Sequence, residues 1–94
     1  MQRNKYQSDT NDFLRHRLPP FFPPNLSPNL SYAIDANNFH EGNTNMLFYL
    51  WLNDYREFWF FPIAFTYIYV KGYFWDCEKW VGTYVKREII YAFF

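Results

Sequence analysis

The chain has 94 residues, room for one small domain. Nine Lys and Arg balance nine Asp and Glu, and the balance holds in each half, so the basic patch a nucleic-acid binder needs is missing and no nucleic-acid partner is expected. A single cysteine, Cys77, excludes an internal disulfide and fits a reducing compartment or indifference to redox.

Aromatic residues make up 27% of the chain, and nineteen of the 25 lie in residues 46–94. Aromatic and β-branched side chains favour a pleated, half-buried surface, which points to a sheet rather than a helical bundle. The division that follows is an arm with a loop, residues 1–45, and an aromatic antiparallel β domain, residues 46–94.

Met1 to Asp12 is polar and without hydrophobic period, so it has too little to bury and is expected to be disordered. It also lacks an apolar run behind its basic residues, so no secretory signal is expected, and the cytoplasm or a cell or spore surface are the compartments that fit. The next stretch holds Pro19, Pro20, Pro23, Pro24 and Pro28. These remove donors and fix φ, predicting a stiff polyproline II arm. Within it, Arg17-Leu18-Pro19-Pro20-Phe21-Phe22-Pro23 has the basic residue and PxxP shape that aromatic-lined grooves dock. A rigid spacer is the plainer reading. Tyr32 to Asn45 reads as loop, with a brief edge strand at Tyr32 to Ile34.

The domain is predicted to be an antiparallel meander of about five strands. Met46 to Leu52 is turned by Asn53-Asp54-Tyr55-Arg56 into Phe58 to Ala64, where Pro62 marks an edge, a bulge or a strand end. Phe65 to Tyr69 connects to Val70–Trp75, with Gly72 permitting a sharp bend. Asp76-Cys77-Glu78 turns into Lys79 to Tyr84, and Ile89 to Phe94 closes the sheet after the charged Val85 to Glu88. The pattern fits an open sheet or an SH3-like partial barrel. The longest uncharged run of the domain, Phe58 to Val70, is thirteen residues and contains Pro62. A spanning helix needs about 20 apolar residues, so no membrane span is expected.

The run YLWLNDYREFWFFP, followed by GYFW, KW and REI in that order, resembles a family of small bacterial proteins with a proline-rich N-terminal arm and a C-terminal aromatic domain. The resemblance covers Tyr49 to Phe94. It implies the same division into arm and β domain, and no catalytic residues come with it. Some members carry the label transporter. Two departures stand out: Asp54-Tyr55 replaces a turn glycine, and Ala92 or Phe93 replaces a cysteine near the C-terminus.

Groups able to do chemistry are sparse. Ser8, Ser27, Ser31, His16 and His40 all fall outside the aromatic domain, which argues against a nucleophile held by a base. Cys77 sits between Asp76 and Glu78, whose charge disfavours a thiolate. His40-Glu41 lacks a second histidine at metal spacing, so neither metal nor cofactor is expected. Asp54 with Glu57, or Glu78 with Glu88, are the carboxylate pairs that acid and base work would use. Solvated turn residues are the plainer reading.

Both faces of the predicted sheet are apolar. Leu47, Tyr49 and Trp51 alternate with Phe48, Leu50 and Leu52, and Trp59, Phe61 and Ile63 alternate with Phe58, Phe60 and Pro62. A sheet with one wet face alternates apolar and polar, so barrel closure, the arm or another molecule must cover the second face. If the arm covers it, Phe21, Phe22 and Leu26 do the packing; if not, large apolar patches mark interaction sites. The expected function is a non-enzymatic structural, assembly or interaction protein that self-associates or docks a protein partner. The surface residues assigned to this are Tyr49, Trp51, Trp59, Phe61, Tyr73, Trp75 and Trp80. The alternative is a small carbohydrate- or peptide-binding module with Tyr73, Trp75 and Trp80 as a stacking platform.

Overall fold

The computed structural model describes Phe13 and residues 17–94; the disorder expected of residues 1–12 lies outside the described residues. The architecture is all-β. Six antiparallel strands form one open sheet in the order β1-β6-β2-β3-β4-β5. They are β1 (Ile34–Asp35), β2 (Phe48–Leu52), β3 (Glu57–Phe65), β4 (Tyr69–Trp75), β5 (Trp80–Lys86) and β6 (Ile90–Phe93). The open branch of the expectation therefore holds.

Strands β2 to β5 form the expected meander, and local chemistry sets its turns. At Asn53 to Arg56, Asp54 accepts from the Arg56 N–H at 3.2 Å and from its Nε at 2.9 Å. The arginine holds the Asp54 carboxyl below its usual range. Tyr55 takes the left-handed φ of 70°, at the turn where the resemblance expects glycine. At the next turn Thr66 Oγ1 accepts from the Tyr69 N–H at 2.9 Å. At the third, Asp76 Oδ1 accepts from the N–H groups of Glu78 and Lys79 at 2.9 and 2.8 Å, and Cys77 takes a φ of 82°. The Lys79 and Glu78 donors lower the Asp76 carboxyl in turn.

The last strand leaves the meander. A 3-10 turn, Arg87–Ile89, carries the chain back so that β6 pairs with β2, Leu50 opposite Phe93 and Trp51 opposite Ala92. Arg87 fixes this return: its N–H donates to Ile68 O, and its guanidinium donates to Thr66 O at 3.0 Å and Phe39 O at 3.3 Å. An edge strand is present, but as β1 at Ile34–Asp35 rather than at Tyr32 to Ile34, because Leu30–Tyr32 forms a 3-10 turn. It pairs with β6 through Ile34 opposite Phe93.

Pro62 lies in a central strand, where a missing donor would break the ladder. The register shifts between Pro62 and Ala64, so a bulge absorbs it. Opposite sits Gly72, whose role is contact rather than a bend. No glycine has a positive φ, and a Cβ at Gly72 would collide with Phe61 O and lie 2.6 Å from the Phe60 ring.

The first core lies on one face. Phe48, Leu50, Leu52, Phe60, Val70, Val85, Ile90 and Phe93 gather around Phe39, which the loop between β1 and β2 delivers. Phe39 is 3% exposed and meets Phe48, Phe65 and Phe93 at ring separations of 5.3, 5.1 and 4.9 Å. Two 3-10 turns, Ala36–Asn38 and Glu41–Asn43, shape this loop, capped by Asp35 and by His40, whose Nδ1 accepts from Gly42 N.

Candidate functional site

The seven residues assigned from sequence all fall on the opposite face. Register places them in rows: Tyr49 opposes Trp59 and Trp75 opposes Trp80, while one step beyond the Phe60–Phe74 pair sets Trp59 opposite Trp75. The result is an aromatic row across four strands. Beside it Phe61 opposes Tyr73, and Trp51 packs edge-on against Tyr49 at 5.0 Å.

The arm crosses this face. Phe21 sits on Phe61 and Trp80 at ring separations of 5.9 and 6.3 Å, and Phe22 on Trp75 at 5.5 Å. Phe13 meets Tyr73 at 5.3 Å and Tyr84 at 5.7 Å, and its ring lies over Gly82, where a Cβ would come within 2.7 Å of it. Farther along, Tyr32 packs on Phe94 and Ala33 joins the Tyr49–Trp51–Ala92 cluster. Pro19 and Pro23 are buried. Of the three arm residues expected to pack, Leu26 is instead 82% exposed, and Phe22 is 80% exposed although its ring meets Trp75.

Polar tips lock the contact. Trp80 Nε1–H donates to Phe21 O at 2.8 Å, and Tyr73 OH donates to Phe13 O at 3.3 Å. Prolines leave a segment rich in carbonyls and poor in N–H groups, so the surface that holds it must supply donors, and indole and phenol do so. Under this cover Tyr73 and Trp80 are buried, as are Tyr49 and Trp51, while Trp59, Phe61 and Trp75 remain half-buried.

At one end of the aromatic row a cleft of about 530 Å³ separates arm from sheet. Phe22, Tyr49, Trp59 and Trp75 line it together with Glu57, Glu78 and the arm's Asn25 and Ser27. Tyr49 OH donates to Glu57 Oε1 at 2.8 Å. Burial, and then this bond to an anion, push the Tyr49 phenol up to about 12, with the Ser27 hydroxyl pulling the other way. Burial also raises Tyr73.

The acidic residues that line this cleft are Glu57 and Glu78, not either pair read from sequence. Asp54 is engaged with Arg56 at 2.9 Å. Glu57 begins β3 and Glu78 lies in the turn between β4 and β5, and the pairing of β3 with β4 brings both ends to one cleft. Glu57 and Glu78 carried no signal of a shared site in the sequence, and neither did the contact of Phe13 with Tyr73, whereas Phe22 is among the residues expected to pack on this face. Cys77 lines the same cleft and is exposed.

Among the described residues, no group of three or more His, Cys, Asp or Glu side chains gathers as metal ligands would. No helix among them is long and apolar enough to cross a membrane. Comparison of the chain with family models, with curated proteins and with solved structures finds no match in any of the three.

Proposed function

We propose that this chain is a non-enzymatic interaction protein whose aromatic sheet face recognises a segment rich in proline and phenylalanine. In one chain the segment is its own residues 18–23, and the same docking between copies links chains into assemblies. The observation that carries this reading is the Trp80 indole donating to Phe21 O at 2.8 Å while the Phe21 ring rests on Phe61 and Trp80. Aromatic-lined grooves take PxxP segments by the same division of labour: rings pack the prolines, and donors meet the carbonyls.

A tethered segment competes at an effective concentration in the millimolar range, so the chain's own arm holds the face until it is released or exchanged. Phe21→Ser loosens the arm without touching the sheet. The full-length variant, with unchanged far-ultraviolet circular dichroism, is expected to bind an added peptide of residues 17–28 and to do so at least tenfold more tightly than the parent chain. At high concentration the parent chain is expected to form dimers in sedimentation by exchanging arms, and Trp80→Phe to shift that equilibrium. A folded variant that ignores the peptide, together with a parent that stays monomeric at every concentration, would end the proposal.

A further inference from the structure

The cleft between arm and sheet has a composition that the docking of the arm does not require. Its walls are the rings of Phe22, Tyr49, Trp59 and Trp75, and its charged groups are Glu57 and Glu78. Among the described residues no Lys, Arg or His lines it. Trp59 and Trp75 are only half-buried, so part of each ring is open to the cavity. Glu57 is held in place through Oε1 by the Tyr49 phenol, which leaves Oε2 for a second partner.

Such a cavity is selective in sign. An aromatic face carries negative quadrupolar potential, and it attracts an organic cation within about 6 Å of the ring centroid. Two acidic residues, with no base among the described residues that line the cleft, add to that field. An anion would meet repulsion from the rings and the carboxylates, and a neutral sugar would stack on the rings yet gain nothing from the negative charge. The volume, about 530 Å³, falls within the range of small-molecule sites.

We infer that this cleft binds an alkylated ammonium group, the rings enclosing the methyl groups and Glu57 and Glu78 balancing the charge. The inference rests on the docked position of the arm, because Phe22, Pro23, Pro24, Asn25 and Ser27 line the cleft opposite the sheet. The group has two sources, a free quaternary amine or a methylated lysine on a partner protein, and the recognition chemistry is common to both.

The test uses the full chain and choline, with 3,3-dimethyl-1-butanol as its uncharged isostere. Choline is expected to change tryptophan fluorescence saturably and the butanol is not. A trimethyllysine peptide in a parallel titration separates the sources: tighter binding of the peptide assigns a protein partner, and tighter binding of choline assigns a free amine. Glu78→Gln, at an exposed position that the fold does not depend on, is expected to weaken choline by roughly tenfold. Phe21→Ser, which loosens the arm, is expected to weaken choline because Phe22, Pro23 and Pro24 line the cleft, whereas Glu78→Gln is expected to weaken choline and leave proteolysis of the arm unchanged, so failure of the arm reading and failure of this one are separable. Equal response to choline and the butanol, tighter binding of a neutral oligosaccharide, or an unchanged Glu78→Gln would each overturn the inference.

Discussion

The two faces of this sheet are covered by different means. One is built of Phe, Leu, Val and Ile and is closed by Phe39 from a short, capped loop. The other is built of Tyr and Trp and is crossed by a proline-rich segment. Side chains without polar atoms bury completely against one another and leave nothing to satisfy. Rings with a polar tip bury only if the tip finds an acceptor, and the arm supplies acceptors in the carbonyls of Phe13 and Phe21. The first face therefore behaves as a core, and the second as an interface within one chain.

If that distinction is right, equal truncations on the two faces cost unequal amounts. Phe39→Ala empties the centre of the core cluster and is expected to cost about 3 to 5 kcal/mol. Phe21→Ala removes a ring that is 41% exposed, and its expected cost is about 1 to 2 kcal/mol. Urea midpoints at constant slope measure both. Equal losses would mean that the arm is as much core as the loop.

Glycines sharpen the same comparison. A methyl group at Gly72 would strike backbone atoms of the β3 bulge and the Phe60 ring, neither of which can give way. Gly72→Ala is expected to cost about 3 kcal/mol. A methyl group at Gly82 would strike only the Phe13 ring, which the arm can lift away. Gly82→Ala is expected to cost about 1 kcal/mol or less and to show as faster proteolysis of the arm.

Much of this fold was legible in the sequence, because turn chemistry and the two-residue period are local. Asn53-Asp54 and Asp76 announce their turns, and each meander strand ends within two residues of its expected limit. The return of β6 to β2 was not legible, since Arg87 makes it by bonding to Ile68, Thr66 and Phe39, all distant in sequence. The seven aromatic surface residues could be read as one face from their alternation. Their cover could only be left open among three choices, because a polyproline pattern gives a segment's conformation and not its destination. Glu57 and Glu78 escaped notice as a pair because register, not spacing, unites them.

A smaller effect isolates the donors. Trp80→Phe keeps a ring in place and removes the N–H that meets Phe21 O. The expected cost is about 1 kcal/mol, the net worth of one hydrogen bond. No change in stability, with no change in arm proteolysis, would show that ring packing alone holds the arm and that polar tips are incidental.

The subtlest difference between the faces is alkaline. The hydrocarbon core contains no titrating group, whereas the arm face contains Tyr49 and Tyr73, both raised. For Tyr49 the folded value is about 12 against an ordinary 10.0. The native state thus holds this proton more tightly than the unfolded chain does. Its contribution is complete below the ordinary value and is lost as pH rises through 10.0 towards about 12. A phenolate there would face the Glu57 carboxylate as well as lose its bond to it. Tyr49→Phe is therefore expected to lower stability at neutral pH and to flatten the decline above pH 10 relative to the parent, leaving the part that Tyr73 supplies. Urea midpoints from pH 8 to 11.5 measure the slope directly. If parent and variant decline in parallel, the tyrosine tip adds nothing that depends on its proton, and the arm face is a core like the other.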